Sequence, residues 1–420
     1  MEQQYLIALF IIIVVGFLFQ QLIDYLNNHN RPKLVPEQLK EFYDQDEYSR
    51  SRAYRLENYR LSNAGSWLTF IITLGFLLSG GFGWLNEFLA SFGLREKWLS
   101  LGYFASLFLI SDIISLPFSL YGTFIIEEKY GFNRTTFKTF LLDKLKGYLL
   151  AILVGGLLVY LLLSIIITLG SDFWIYAWIL MVAIMLFMNF FYTTLFLPIF
   201  NKLTPLEDGE LKTSIVELAG KVNFPLNKIY VMDASKRSSK SNAFFSGFGK
   251  LKSIVLFDTL IEKHSKDELL GILAHEVGHY KKKHTIVNII SGMLVNGIML
   301  YLLTWFLFGD GSSELSKAMG GDRFYYHLNI IAFGILFEPV NMVIGIASNV
   351  LSRKHEYEAD AYAIAHADSE AFQNALKKLS VENLSDLQPH PAHVFVHYSH
   401  PTLLQRLEAI DSLKGDSHKS

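Results

Sequence analysis

The run Ala274-His275-Glu276-Val277-Gly278-His279 carries an HExxH motif. On a helix this spacing sets His275 and His279 on one face, a turn apart, where both imidazoles can bind a single Zn²⁺. Glu276 then lies beside the open coordination position and can take a proton from a water activated there. That is the apparatus of a hydrolase. Three fixed residues recur by chance in roughly a few per cent of chains this long, so the surroundings must support the motif. Ser265 and Glu268 make a capping-box pattern and Asp267 adds an acidic first turn. Leu269, Leu270, Ile272 and Leu273 supply an apolar stripe, so the pattern predicts a helix through the motif.

A catalytic zinc site needs a third protein ligand. A metzincin would continue with Gly and His at positions 282 and 285, and Lys282 and Thr285 exclude that class; His284 is out of register. In the tail, Ser352–Asp360 reads as a helix with Glu356 and Asp360 four residues apart on one face. Glu356 would complete a His₂Glu set, and Asp360 could accept the free ring N–H of a zinc-bound histidine. Acidic residues on a charged helix are otherwise simply solvated. Topology favours the ligand, because two apolar spans separate His279 from Glu356 and so return the chain to the same compartment.

Further candidates concern the substrate. Asn242 and Ala243 fall in a strand ahead of the zinc helix, and an edge strand can take an extended peptide by main-chain pairing, with the Asn242 amide fixing the backbone beyond the cleaved bond. Pro401 suits the first position of a final helix through Arg406 and Leu407. That places His400 at a helix N-terminus, able to donate to an oxyanion, and makes Arg406 a candidate substrate-binding residue. His390, His393, His397 and His400 form a histidine-rich stretch. Pro389, Pro391 and Pro401 are read as breaking any helical ligand face, so one zinc per chain is expected and no second metal.

The positioning elements are membrane helices. The 420 residues are 51% apolar, 15% aromatic and only 18% charged, with mean hydropathy +0.29, too apolar for an ordinary soluble protein. Seven spans are read at 5–21, 66–85, 101–121, 148–169, 173–198, 286–307 and 327–350, each near the ~20 residues that cross a ~30 Å hydrocarbon core. The first lacks a basic leader and a small-residue cleavage site, so it reads as a retained helix. Loops 22–65, 122–147, 199–285 and 351–420 hold 7, 5, 14 and 7 of the 37 lysines and arginines. By the positive-inside rule these face the cytoplasm, and the HExxH segment with them. Asp112 and Glu338, inside spans, are read as structural. With no cysteine, disulfides, thiol catalysis and Cys-ligated zinc are excluded. No basic, aromatic-interleaved patch suggests nucleic acid.

Four regions follow. Residues 1–198 hold five spans, 199–285 the zinc segment, 286–350 two spans, and 351–420 the tail with the third ligand. Within 199–285, Pro205–Val222 reads as an amphipathic helix, then Lys228–Met232, Ser241–Ser246 and Lys252–Phe257 as strands parted by Lys/Ser/Gly-rich turns. The zinc helix is read as running on through Lys281-Lys282-Lys283-His284 into the sixth span, the lysines being snorkelling anchors.

The runs Glu127–Thr136, Pro198–Leu206 and Ser235–Phe244, together with His275–His279, Glu356–Asp360 and Tyr398-Ser399-His400-Pro401, resemble the type I CAAX prenyl endopeptidase family of gluzincin zinc proteases. The resemblance spans essentially the whole chain in the family's order. It implies an all-α polytopic membrane protein in which seven helices form a barrel-like, water-filled chamber under a small α+β gluzincin-type cap. It also implies zinc held by two histidines and a glutamate, and removal of the last three residues of prenylated CAAX proteins. The other reading is a membrane quality-control protease acting on non-prenylated peptides, and a catalytically silent scaffold would have no reason to keep His275, Glu276, His279, Glu356 and His400. The lack of cysteine and the compact loops lean toward a bacterial inner membrane; in a eukaryote the expected place is the endoplasmic reticulum or inner nuclear membrane.

Overall fold

A computed structural model describes residues 1–417 apart from 30, 31, 33 and 248–251. The first half of the chain is helical: α1 (Glu2–His29), α2 (Gln45–Leu78), α3 (Gly81–Ala90), α4 (Glu96–Tyr121), α5 (Phe137–Leu150), α6 (Leu157–Leu169), α7 (Phe173–Phe191) and α8 (Leu197–Phe200). Six helical stretches among the described residues are long and apolar enough to cross a membrane: Glu2–His29, Gln45–Leu78, Glu96–Glu127, Phe137–Phe200, His284–Phe308 and Tyr326–His366. Their outer faces are apolar and bare. On α1, Ile7, Ile11, Val15, Leu18 and Leu22 recur every three or four residues and are all exposed, the stripe a helix presents to lipid.

The stretch 137–200 folds back on itself. Gly170, at φ 58, ends α6, one 3₁₀ turn follows, and α7 packs back against α6. The span expected at 66–85 is displaced. A membrane helix need not stop where its polar residues begin, so α2 starts at Gln45, where the Asp44 side chain accepts from the Glu47 N–H, and ends at Leu78. Gly80, at φ 71, then redirects the chain into α3.

The second half begins with a small α+β unit: β1 (Leu203–Pro205), α9 (Glu210–Lys221), β2 (Leu226–Met232), β3 (Ala243–Ser246), β4 (Lys252–Phe257), α10 (Asp258–Lys263) and α11 (Lys266–Lys281). The sheet order is β1-β2-β4-β3, with β2 and β4 parallel and the outer pairs antiparallel, so β3 lies at an end. The three strands read from sequence are present, and the turn at 248–251 lies outside the described residues. The helix expected from Pro205 starts instead at Glu210, because Pro205 closes the short strand β1, whose three residues carry too little alternation to be legible.

The zinc helix does not run on into the sixth span. It ends at Lys281, and Lys283 takes a left-handed conformation at φ 62 before α12 (His284–Phe308) starts. Then come α13 (Ser312–Ala318), α14 (Tyr326–His366), α15 (Ser369–Glu382), α16 (Pro391–His397) and α17 (Leu403–Ser417). The last span and the Glu356–Asp360 segment are one 41-residue helix, α14, about 60 Å long at ~1.5 Å per residue. The core of the unit joins Ile215 and Leu218 of α9, Leu256 of β4, Leu269 and Leu273 of α11, and Phe372 and Leu376 of α15.

Candidate active site

Helix α11 is built to hold a rigid pair of imidazoles. Its capping box is complete, with Ser265 Oγ accepting from the Glu268 N–H at 3.3 Å and the Glu268 carboxylate accepting from the Ser265 N–H at 2.8 Å. Gly278 lets α11 lie against α14: a methyl there would meet the Ala359 Cα and the Tyr362 Cβ at 3.0 Å. This close approach brings α14 carboxylates to the motif histidines. His275 Nε2 and His279 Nε2 are 3.1 Å apart. Glu356 lies 3.4 Å from the first and 3.2 Å from the second. The three ligand atoms thus converge on one point.

The donor set fits a Zn²⁺ ion. Each histidine offers Nε2 because its other nitrogen is engaged. His275 Nδ1 lies 2.8 Å from Asp360 Oδ1, and Asp360 is itself clamped by Arg406 Nε at 2.8 Å. Asp360 is 1% exposed; burial alone would raise its carboxyl, but Arg406 and His275 hold it below the ordinary range, so the carboxylate accepts and His275 Nδ1 carries the proton. His279 Nδ1 meets His284 Nδ1 at 3.0 Å, and His284 Nε2 meets Glu358 Oε2 at 3.0 Å. The Glu358 carboxylate can only accept, so His284 donates to it from Nε2 and accepts from His279 at Nδ1. One oxygen of the 4% exposed Glu356, Oε2, has no hydrogen-bond partner, which a cation would supply.

Glu276 stands on the wall of a cavity of about 820 Å³ that His279, Phe244, Phe245 and Tyr192 also line. Burial raises its carboxyl above the ordinary range while His275 and His279 oppose the rise, which suits a proton acceptor working near neutrality. His400 Nε2 reaches to 3.3 Å from Glu356 Oε1 on a side chain that is 64% exposed, and partial desolvation by its neighbours shifts its pKa down from the ordinary histidine value. Pro401 is not the first helical residue. Thr402 caps α17 reciprocally with Gln405, leaving His400 on the approach to the helix rather than in its first turn. Asn242 is exposed beside β3, its Oδ1 accepting from the Ala243 N–H at 2.8 Å.

Arg406, a substrate-binding candidate in the sequence, donates twice to Asp360 beside His275 and lines a cavity with His400. His284 and Glu358, which support His279 from behind, escaped the sequence reading: His284 is five residues from His279, outside helical register, and the break at Lys283 re-aims it. Asp112 pairs with Lys144 and Tyr148 of α5, as a structural acid would.

Comparison with known proteins gives the family. Residues 23–202 match the family described as CAAX prenyl protease N-terminal, five membrane helices, and 205–414 match Peptidase family M48. A CAAX prenyl protease 1 homolog of Arabidopsis thaliana is 35% identical over 413 residues, covering 95% of each chain. CAAX prenyl protease 1 of Saccharomyces cerevisiae is 38% identical over 326 residues, 74% of this chain and 72% of its own. The crystal structure of S. mikatae Ste24p superposes with a TM-score of 0.91 at 32% identity, covering 97% of this chain and 99% of that one. These relatives are eukaryotic, and none supports the expectation of a bacterial inner membrane. Spanning both family regions with its apolar helices and its HExxH centre, the chain is a multi-pass integral membrane metalloendopeptidase and belongs to the type I CAAX prenyl endopeptidase family.

Proposed function

We propose that the chain hydrolyses a peptide bond near the C-terminus of a prenylated CAAX-type substrate, with zinc held by His275, His279 and Glu356. The observation that carries this reading is the convergence of those three side chains beside Glu276 at the wall of a large cavity. Bound zinc would polarise the scissile carbonyl and lower the pKa of water there toward ~7. Glu276 takes the proton of the attacking water and hands it to the leaving amine. His400 donates from Nε2 to the oxygen on which charge develops, helped by Ser399 Oγ, 2.9 Å from its Nδ1. Asp360 and Arg406 fix His275. Asn242, Ala243 and β3 take the substrate as an added strand.

At larger scale the reading is of seven crossings, the stretch 137–200 counting as two, around a barrel-like chamber, with 199–285 and 351–420 forming the cap between the membrane regions 1–198 and 286–350. The skewed Lys and Arg distribution supports a cytoplasmic catalytic face. The purified protein, given a farnesylated CAAX peptide and its unprenylated twin, should release the C-terminal tripeptide from the first. Equal turnover of both would favour the quality-control reading; cleavage of neither would end both.

A further inference from the structure

A second pair of imidazoles stands outside the catalytic centre. Pro391 does not break the histidine-rich stretch. It occupies the first turn of α16, where its fixed φ suits a helix and its missing N–H costs nothing, so it starts the helix instead. His393 and His397 therefore lie one turn apart on one face, their ring centroids 4.8 Å from each other. Asp24 of α1 faces them, with Oδ1 3.8 Å from His393 Nδ1. One ligand atom from each of the three residues lies within 4.8 Å of the others. The donor set repeats that of the catalytic site: two histidines at i and i+4 on one helix and a carboxylate from another.

The donors stand on braced elements. Gln20 Nε2 donates to Asp24 Oδ2 at 3.1 Å, and the other oxygen, Oδ1, faces His393. Asn27 Oδ1 accepts from the His390 N–H at 2.8 Å, pinning the start of α16 to α1. Asn349 donates to the Val396 carbonyl at 2.8 Å, and Arg353 donates to the carbonyls of Val394 and Tyr398, pinning α16 to α14. A hydrogen-bonded carboxylate and fixed backbones are what a metal centre asks of its surroundings. Ligands at ~2.0–2.2 Å from a tetrahedral ion sit roughly 3.3–3.6 Å apart, so small side-chain rotations close the set.

We propose that Asp24, His393 and His397 bind a second divalent ion, Zn²⁺ by its donors, that ties α1 to the segment leading to His400. Two imidazoles and one carboxylate suit zinc rather than magnesium or calcium, which prefer oxygen ligands alone. The ion is structural: it clamps the N-terminal helix to the tail three residues before His400.

The test is a metal count on the full-length protein, purified without a polyhistidine tag, equilibrated with micromolar Zn²⁺ and desalted. The expected wild-type value is two zinc ions per chain. Asp24→Asn and His393→Ala should each hold one and keep zinc-dependent peptidase activity, whereas the double variant His279→Ala/Glu356→Ala should hold one and have none. One ion in the wild type overturns the proposal, as do two ions that survive both Asp24→Asn and His393→Ala. The wild-type count decides even where a variant fails to fold.

Discussion

At the scale of single residues, the sequence made the proposed metal ligands legible and left the side chains behind them obscure. HExxH can be read because one helical turn fixes its geometry, and Glu356 because Asp360 shares its face. His284 and Glu358 could not be read, since their contact with His279 depends on the left-handed Lys283 between two helices. Their role yields a graded expectation. Glu356→Ala should empty the catalytic site, while His284→Ala should keep it filled at saturating zinc but weaken affinity ~10–100-fold, the usual cost of losing a partner behind a ligand. Chelator competition measures both, and equal affinities for His284→Ala and wild type would remove His284 from the supporting set. For turnover, His400→Ala should retain zinc and lose ~10²–10³ in kcat, and Asn242→Ala should mainly raise KM. Near-normal kcat in zinc-loaded His400→Ala would strike it from the oxyanion role.

At the scale of elements, the site is a helix–helix contact. Helix α11 supplies His275, Glu276 and His279, while α14 supplies Glu356, Glu358 and Asp360, and their separation is set at Gly278 against the Ala359 backbone. Periodicity revealed each helix, but not that the last span and the third-ligand helix are one rod, because the apolar stretch and the charged stretch look like separate elements in composition. The same limit hid the turn between α11 and α12, where three lysines gave no sign of a left-handed residue. Gly278→Ala should wedge the helices apart, costing ~1–3 kcal/mol as overpacking does and weakening zinc binding with stability. Thermal unfolding with and without zinc checks it: unchanged Tm and unchanged affinity would show that the two helices have room.

At the scale of the whole molecule, membrane helices carry a proposed peptidase centre whose residues lie far apart in sequence, from Asn242 through Glu276 to Glu356 and His400. Hydropathy revealed the long helices, but it could not position the end of α2 or the turn at Gly80, which depends on a glycine's freedom at positive φ. The claim that joins all scales is that Glu276 moves the proton while others hold the zinc. Glu276→Gln keeps the shape of the side chain and removes its capacity to accept a proton. The deciding measurement takes catalytic-site zinc content and tripeptide release from a farnesylated CAAX peptide on the same preparation of Glu276→Gln. The expected result is wild-type zinc with no peptide released; release at the wild-type rate, or loss of the catalytic zinc together with activity, would contradict it.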